Sequence, residues 1–245
     1  MIPSERSLSV RITVIILILL ISYSTFAHAD GLQAIAKQLR TLLDKHDILI
    51  IGENHRKEES TRLISALTAD YLETGKCLSV ALEINSDQQP TIDSAMSGIT
   101  SIHDIKISSI IDHPEYREML SRFLDLKTEG KCLKVVAVDG FRQEQSRDEW
   151  MAANLEPLLK GKVLFLVGNL HAIKRIRWES GKLDPFVAER LVAKGYDVCS
   201  VMQAWDGREG LTELTLADVA QVLDPVAALM PSDTKEFGDY SVHWH

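Results

Sequence analysis

No block of basic residues interrupts this chain, and acidic side chains outnumber basic ones by 35 to 27. An acidic chain without a basic cluster is a poor nucleic-acid binder, and nothing in it resembles a polybasic membrane patch. Low-complexity tracts are absent, and no repeat is longer than a short motif. The H-E-x-x-H helix of many zinc hydrolases is missing. The most apolar stretch, "ITVIILILLI" at 12–21, is too short to be comfortable as a membrane span.

That apolar stretch has another reading. It follows "MIPSERSLSVR", which carries Arg6 and Arg11, and precedes "STFAHAD", with Ala27-His28-Ala29 ahead of Asp30. A basic start, an apolar core and an A-x-A site are the pattern of a secretory signal peptide. Residues 1–29 are therefore expected to be removed, leaving 30–245 as one domain with enough chain for a well-buried core. No cysteine follows the apolar core, so no lipoprotein anchor is expected, and no stable membrane anchor after cleavage. The expected destination is outside the cytoplasm, in the periplasm.

Cysteine is scarce: Cys77, Cys132 and Cys199. Export implies an oxidising compartment, where a pair can bridge. Cys77 and Cys132 sit in matching contexts, "TGKCLSVALE" and "EGKCLKVVAVD", each opening an apolar run after a helix end. On neighbouring strands they would be close enough for a disulfide; otherwise they are two half-buried thiols. Cys199 lies inside an apolar run and reads as a buried free thiol.

What the chain has in quantity is apolar runs: "DILIIG" (47–52), "LSVALEI" (78–84), "LKVVAVD" (133–139), "KVLFLVGN" (162–169) and "YDVCSVM" (196–202). Most are near-continuous in Val, Ile and Leu, as in parallel strands buried on both faces. Between them, 57–73, 115–129, 145–159 and 184–194 carry helical spacing, with Gly75, Gly130 and Gly195 as stops. The expectation is an α/β fold: a mostly parallel central sheet of five or six strands flanked by helices, with a helical insertion after the second strand. "FGDYSVHWH" (237–245) alternates like an edge strand, which would leave His243 and His245 exposed. His46, His103 and His113 fall at helix ends or in the insertion and read as solvated.

In an open parallel sheet, ligands bind beyond the carboxyl ends of the strands. The polar residues that end the runs therefore carry the information. The first run delivers Glu53, Asn54 and His55; the second, Glu83; the third, Asp139; the fourth, Asn169 and His171; the fifth, Gln203. Glu83 interrupts an otherwise buried strand, so it must be paired, solvated or bound to something. His55 and His171 each close a Gly-x-x-His motif, with Gly52 and Gly168 placed to let the chain turn off its strand. Arg147 and Asp148 open a helix near the same edge. Arg147 could hold a substrate anion or orient Glu83.

In order, "IGENH", "ALE", "RDEWMAANL" and "VGNLHA" resemble the superfamily that joins the ChaN haem-binding uptake proteins, the Tiki/TraB proteins and the erythromycin esterases. "EINSDQQPTIDSAMSG" and the run from "GNLHA" to "YDVCSVMQ" are similar to the ChaN branch. The resemblance spans most of 47–203. It implies that His55, Glu83, Arg147 and His171 are the site residues, with Glu53 as their acidic neighbour. Its branches imply different functions: metal-dependent proteolysis, lactone hydrolysis with a histidine base, or haem binding for iron uptake. The chain departs from ChaN in lacking a lipobox cysteine, and no residue stands out as an axial haem ligand.

Two functions are therefore expected of one site. One is a hydrolase-type centre on His55, Glu83, Arg147, His171 and Glu53, with Asn54, Asp139 and Asn169 toward the substrate. A divalent metal on His55, Glu83 and His171 would be a variant of it, since two histidines and a carboxylate form a known zinc set. The other is a haem- or iron-compound-binding protein without turnover. In both, the partner is a small molecule. A third possibility is that these residues only hold the strand tips together.

Overall fold

A computed structural model describes residues 31–140, 144–175, 184–215, 217–219 and 237–244. The expected signal peptide and His245 lie outside the described residues. Helical residues 31–45 (α1) lead into β1 (Ile48–Glu53), α2 (Glu58–Leu72) and β2 (Leu78–Asn85). The insertion follows, with α3 (Gln89–Ala95) and short 3-10 turns. Then come α4 (Pro114–Thr128), β3 (Leu133–Asp139), α5 (Arg147–Leu155), β4 (Val163–Gly168), α6 (Val187–Ala193) and β5 (Val198–Trp205). A hairpin-like pair, β6 (Gly210–Glu213) and β7 (Tyr240–Trp244), completes the sheet.

The fold is α/β. The seven strands run β3-β2-β4-β1-β5-β7-β6, all parallel except the β6–β7 pair. Every residue of β1 and β4 is buried, which is why their sequences read as unbroken apolar runs. Alternate residues feed two cores. Leu49, Ile51, Leu164 and Leu166 pack with Leu39, Leu63, Leu67 and Phe123 of α1, α2 and α4. Ile48, Ile50, Phe165 and Val167 pack with Met151, Leu155, Val187 and Leu191 of α5 and α6.

The strand count exceeds the expected five or six. β6 is four residues long and not buried, too short and polar to stand out in the sequence. β7 is not an edge strand; it pairs with β5 on one side and β6 on the other. His243 is consequently only 1% exposed rather than facing solvent. His113 is also less solvated than expected: it pairs with Glu115 at 3.0 Å and packs edge-on against the Tyr116 ring.

Gly75, Gly130 and Gly195 do end helices, each at positive φ, where a side chain would be strained. At the amino ends of β2 and β3, Leu78 pairs with Leu133, so the preceding residues are neighbours. Cys77 and Cys132 are disulfide-bonded there, with Cα atoms 4.6 Å apart. Cys199 is a buried free thiol, and burial pushes its pKa far up. No helix among the described residues is long and apolar enough to cross a membrane.

Candidate active site

Return of the chain from β3 to β4, between β2 and β1, brings four strand tips together at the carboxyl edge. β1 ends in Glu53, which is 4% exposed, and the chain then turns through Asn54 and His55. The Glu53 carboxylate accepts a hydrogen bond from His55 Nδ1 at 2.9 Å. That leaves Nε2 of His55 as the free acceptor of the ring. Hydrogen bonding to Glu53 is the main reason His55 titrates above its ordinary value, with burial opposing.

The turn itself is not made by glycine. Gly52 and Gly168 are absent from the positive-φ positions, whereas Arg56 has φ 66°. A side chain in the left-handed region costs about 1–2 kcal/mol. Arg56 is held there in part by donating to the Ser109 carbonyl of the insertion at 3.0 Å. The two glycines serve close approach instead. A Cβ on Gly168 would lie 3.1 Å from His55 Nε2, and one on Gly52 would lie 2.5 Å from Asn169 Oδ1. Each glycine makes room for a group of the opposite motif.

Glu83, 6% exposed at the end of β2, has both oxygens engaged. Oε2 accepts from the Gly168 backbone N–H at 2.8 Å, and Oε1 accepts from Arg147. Arg147 also donates through Nε and a terminal nitrogen to the two oxygens of Asp139, each at 2.8 Å. Such a two-pronged pair fixes the guanidinium plane, and these carboxylates raise the Arg147 pKa further. The other terminal nitrogen of Arg147 stands 3.3 Å from His171 Nε2. His171 Nδ1 in turn meets Asp148 Oδ1 at 2.7 Å.

Gly168, Glu83, Arg147 and His171 thus form a chain of contacts across the strand tips, and His55 Nε2 faces the space that a side chain on Gly168 would fill. Asp139 and Asn169, expected toward the substrate, are engaged by partners within the protein. Asp139 is taken by Arg147, and Asn169 exchanges hydrogen bonds with the backbone of Gln203 at 3.4 Å. Gln203 then donates to the Gly52 carbonyl at 2.7 Å, tying β5 to β1. Asn54 is exposed beside the site. The metal set of His55, Glu83 and His171 does not fit: Glu83 has no free oxygen, and a fixed guanidinium lies between it and His171.

Two contributors were not singled out from the sequence. Asp148, noted only as part of a helix start, orients His171 and also accepts from the Val187 N–H at 2.8 Å. Tyr116 of α4 lies in the core, 1% exposed. Burial, and then the charges of Glu53 and Glu83, push its phenol pKa far above normal, so it stays neutral beside them. Leu170, between Asn169 and His171, is an exposed apolar residue beside the site.

The fold is shared with several solved structures. A solved structure of ChaN of Campylobacter jejuni with cofacial haem superimposes with TM-score 0.54 at 13% identity, covering 84% of this chain and 90% of that one. A mutant of the erythromycin esterase EreC in its open conformation gives 0.59 at 10% identity, covering 84% and 92%. A succinoglycan biosynthesis protein gives 0.60 at 9% identity, covering 84% and 89%. No protein-family model matches the sequence, and no curated protein is similar to it in sequence.

Proposed function

We propose that the chain is an exported hydrolase acting on a small carbonyl substrate. The observation that carries this is the Glu53–His55 pair. A buried carboxylate holds one ring nitrogen at 2.9 Å and leaves the other free over a glycine. That is the arrangement of an oriented general base. His55 Nε2 takes a proton from water, and the resulting hydroxide attacks the carbonyl carbon. The Arg147 guanidinium, held by Glu83 and Asp139, balances charge developing on the carbonyl oxygen. The bond to the leaving group then breaks, and the leaving group takes the proton from His55. His171 keeps Arg147 in position. No metal enters this scheme.

Export is supported by the signal-peptide pattern of 1–29 and by the Cys77–Cys132 bridge, a bond that persists in oxidising compartments. The test is a panel of esters, lactones and amides offered to the purified protein. Hydrolysis that disappears in His55→Ala at unchanged melting temperature supports the reading. Activity that survives this substitution sinks it.

A second reading, haem binding without turnover, is supported by the likeness in fold to haem-bound ChaN and by the exposed Leu170 beside His171. Titration of haem into the protein separates the two. A saturable Soret shift with no hydrolysis supports the second; no shift at micromolar haem excludes it.

A further inference from the structure

Away from the strand tips just described, β5, β6 and β7 enclose a second polar cluster. Asp206 follows β5, His243 lies on β7, and Asp218 comes from the short helical stretch after β6. Among the described residues these are the one group of three metal-ligating side chains whose ligand atoms all lie within 4.8 Å of one another. Asp218 and His243 are 0% and 1% exposed. We infer that Asp206, Asp218 and His243 form a divalent transition-metal site, in which Arg208 stands in the position of the cation.

Charge is the first argument. Two carboxylates face one guanidinium and one imidazole, so with a neutral His243 the cluster is one positive charge short. A buried pair of anions favours a divalent ion over a single side-chain cation.

Geometry is the second. One terminal nitrogen of Arg208 contacts both Asp206 and Asp218 Oδ1, the latter at 2.5 Å. That nitrogen marks the point the two carboxylates share. The Arg208 side chain is 49% exposed, so it can swing into solvent without breaking the core. His243 stands 3.1 Å from Asp206 through Nδ1 and 3.9 Å from Asp218 Oδ1 through Nε2, and Nε2 is paired with the Thr212 hydroxyl at 2.9 Å. Nδ1, on the side of the oxygen that Asp206 shares with Arg208, is the nitrogen an ion at that point would take.

The third observation is Ser241. Its hydroxyl is fully buried and has no hydrogen-bond partner. It lies two residues before His243 on β7, on the same face, and directly opposite Thr212 on β6. A fully buried hydroxyl without a partner, opposite the Thr212 that bonds His243, is an unused oxygen on the strand pair that carries the cluster. Two carboxylate oxygens and one imidazole nitrogen suit Zn²⁺.

The experiment is calorimetric titration of Zn²⁺ into the purified protein, with melting temperature followed in parallel. The native protein should take up Zn²⁺ and melt higher with it. Arg208→Ala removes the competing cation and should tighten binding on the order of tenfold. Asp206→Asn, nearly isosteric and partly exposed, should weaken it by about tenfold or more. His243→Ala should abolish it, with circular dichroism confirming the fold. Zn²⁺ uptake in a His55→Ala, His171→Ala double variant should be unchanged, which separates this site from the strand tips. Arg208→Ala that binds no tighter, or Asp206→Asn that binds equally well, overturns the assignment.

Discussion

Arg147 approaches His171 Nε2 to 3.3 Å through a nitrogen that can only donate. His171 must therefore accept at Nε2 and carry its proton on Nδ1, where Asp148 waits at 2.7 Å. The contact assigns the tautomer of His171. It also makes Asp148 the residue that orients His171, and through it Arg147.

Asp148→Asn should consequently separate function from folding. An amide oxygen can still accept from the Val187 N–H, so stability should change little. The charge facing His171 Nδ1 is lost, and orienting partners of this kind are typically worth about 10–100-fold. The expected result is a fall of that size in kcat with melting temperature within a few degrees of the parent. Unchanged kcat would show that Asp148 belongs to the α5–α6 packing alone.

Arg147 itself should tolerate no replacement. Among the described residues it is the one cation that pairs with both Glu83, at 6% exposure, and Asp139. Arg147→Lys keeps the charge but cannot make the two-pronged pair. Activity should fall about 100-fold or more in the lysine variant, the scale of losing an oriented transition-state donor. Steady-state kinetics of the lysine and methionine variants check this. A lysine variant with near-native kcat would contradict the role given to the guanidinium.

The Glu53–His55 pair predicts opposite pH trends for activity and stability. His55 titrates above its ordinary 6.5 because Glu53 favours the imidazolium. A general base must be neutral, so kcat/KM should rise with pH and level off above that raised value. Glu53→Gln should move the rising limb downward, because burial, which lowers the value, remains. Protonated His55 favours the folded state. Its contribution is complete below about 6.5 and is lost as pH climbs through the folded-state value. Melting curves of the parent should thus decline over that window, and those of His55→Gln should decline less. A rising limb that stays put in Glu53→Gln would refute the pairing.

Much of the sheet was legible because its central strands are buried on both faces. β1 and β4 are near-continuous apolar runs, ILII and VLFLV, each followed by glycine, and such runs admit few other readings. β6 was not legible, since "GLTE" owes its strand to its partner β7 and not to its own composition. The strand-end logic also brought His55, Glu83, Arg147 and His171 to one edge. It did not distinguish residues that face a ligand from those that hold them. Asn169 and Asp139 look like site residues in sequence, yet spend their hydrogen bonds on Gln203 and Arg147. Asp148 was hidden for the opposite reason, since an acidic first turn is common in any helix.

The glycines of the two motifs offer a test that does not touch a polar group. Gly168 has φ −54°, which alanine adopts freely. Its added Cβ would nevertheless sit 3.1 Å from His55 Nε2. Gly168→Ala should fold, displace the His55 ring by a few tenths of an ångström and lower activity by about tenfold. Gly52→Ala meets the Asn169 backbone Cα at 3.0 Å as well as its side chain, so nothing nearby can yield easily. It should cost about 1–3 kcal/mol of stability. Denaturant melts and kinetics of the two variants would show the contrast. Equal losses of stability would mean that Gly168 is also a packing residue.

The disulfide lies at the amino ends of β2 and β3, the opposite end of the sheet from the site. It closes a loop with a sequence separation of 55 residues, which by loop entropy alone is worth about 4 kcal/mol. Replacing Cys77 and Cys132 together by serine should therefore lower unfolding free energy by roughly 2–5 kcal/mol, the usual range for native bridges. Because β2 carries Glu83 at its far end, held there by Arg147 and Gly168, activity well below the melting temperature should persist. The comparison to make is urea unfolding of the oxidised protein, the reduced protein and the double variant, with turnover measured on each. Reduced protein and variant should coincide. If the oxidised protein were no more stable than either, the bridge would be a bystander to the fold, and the half-exposed amino end of the sheet would be held by strand pairing alone.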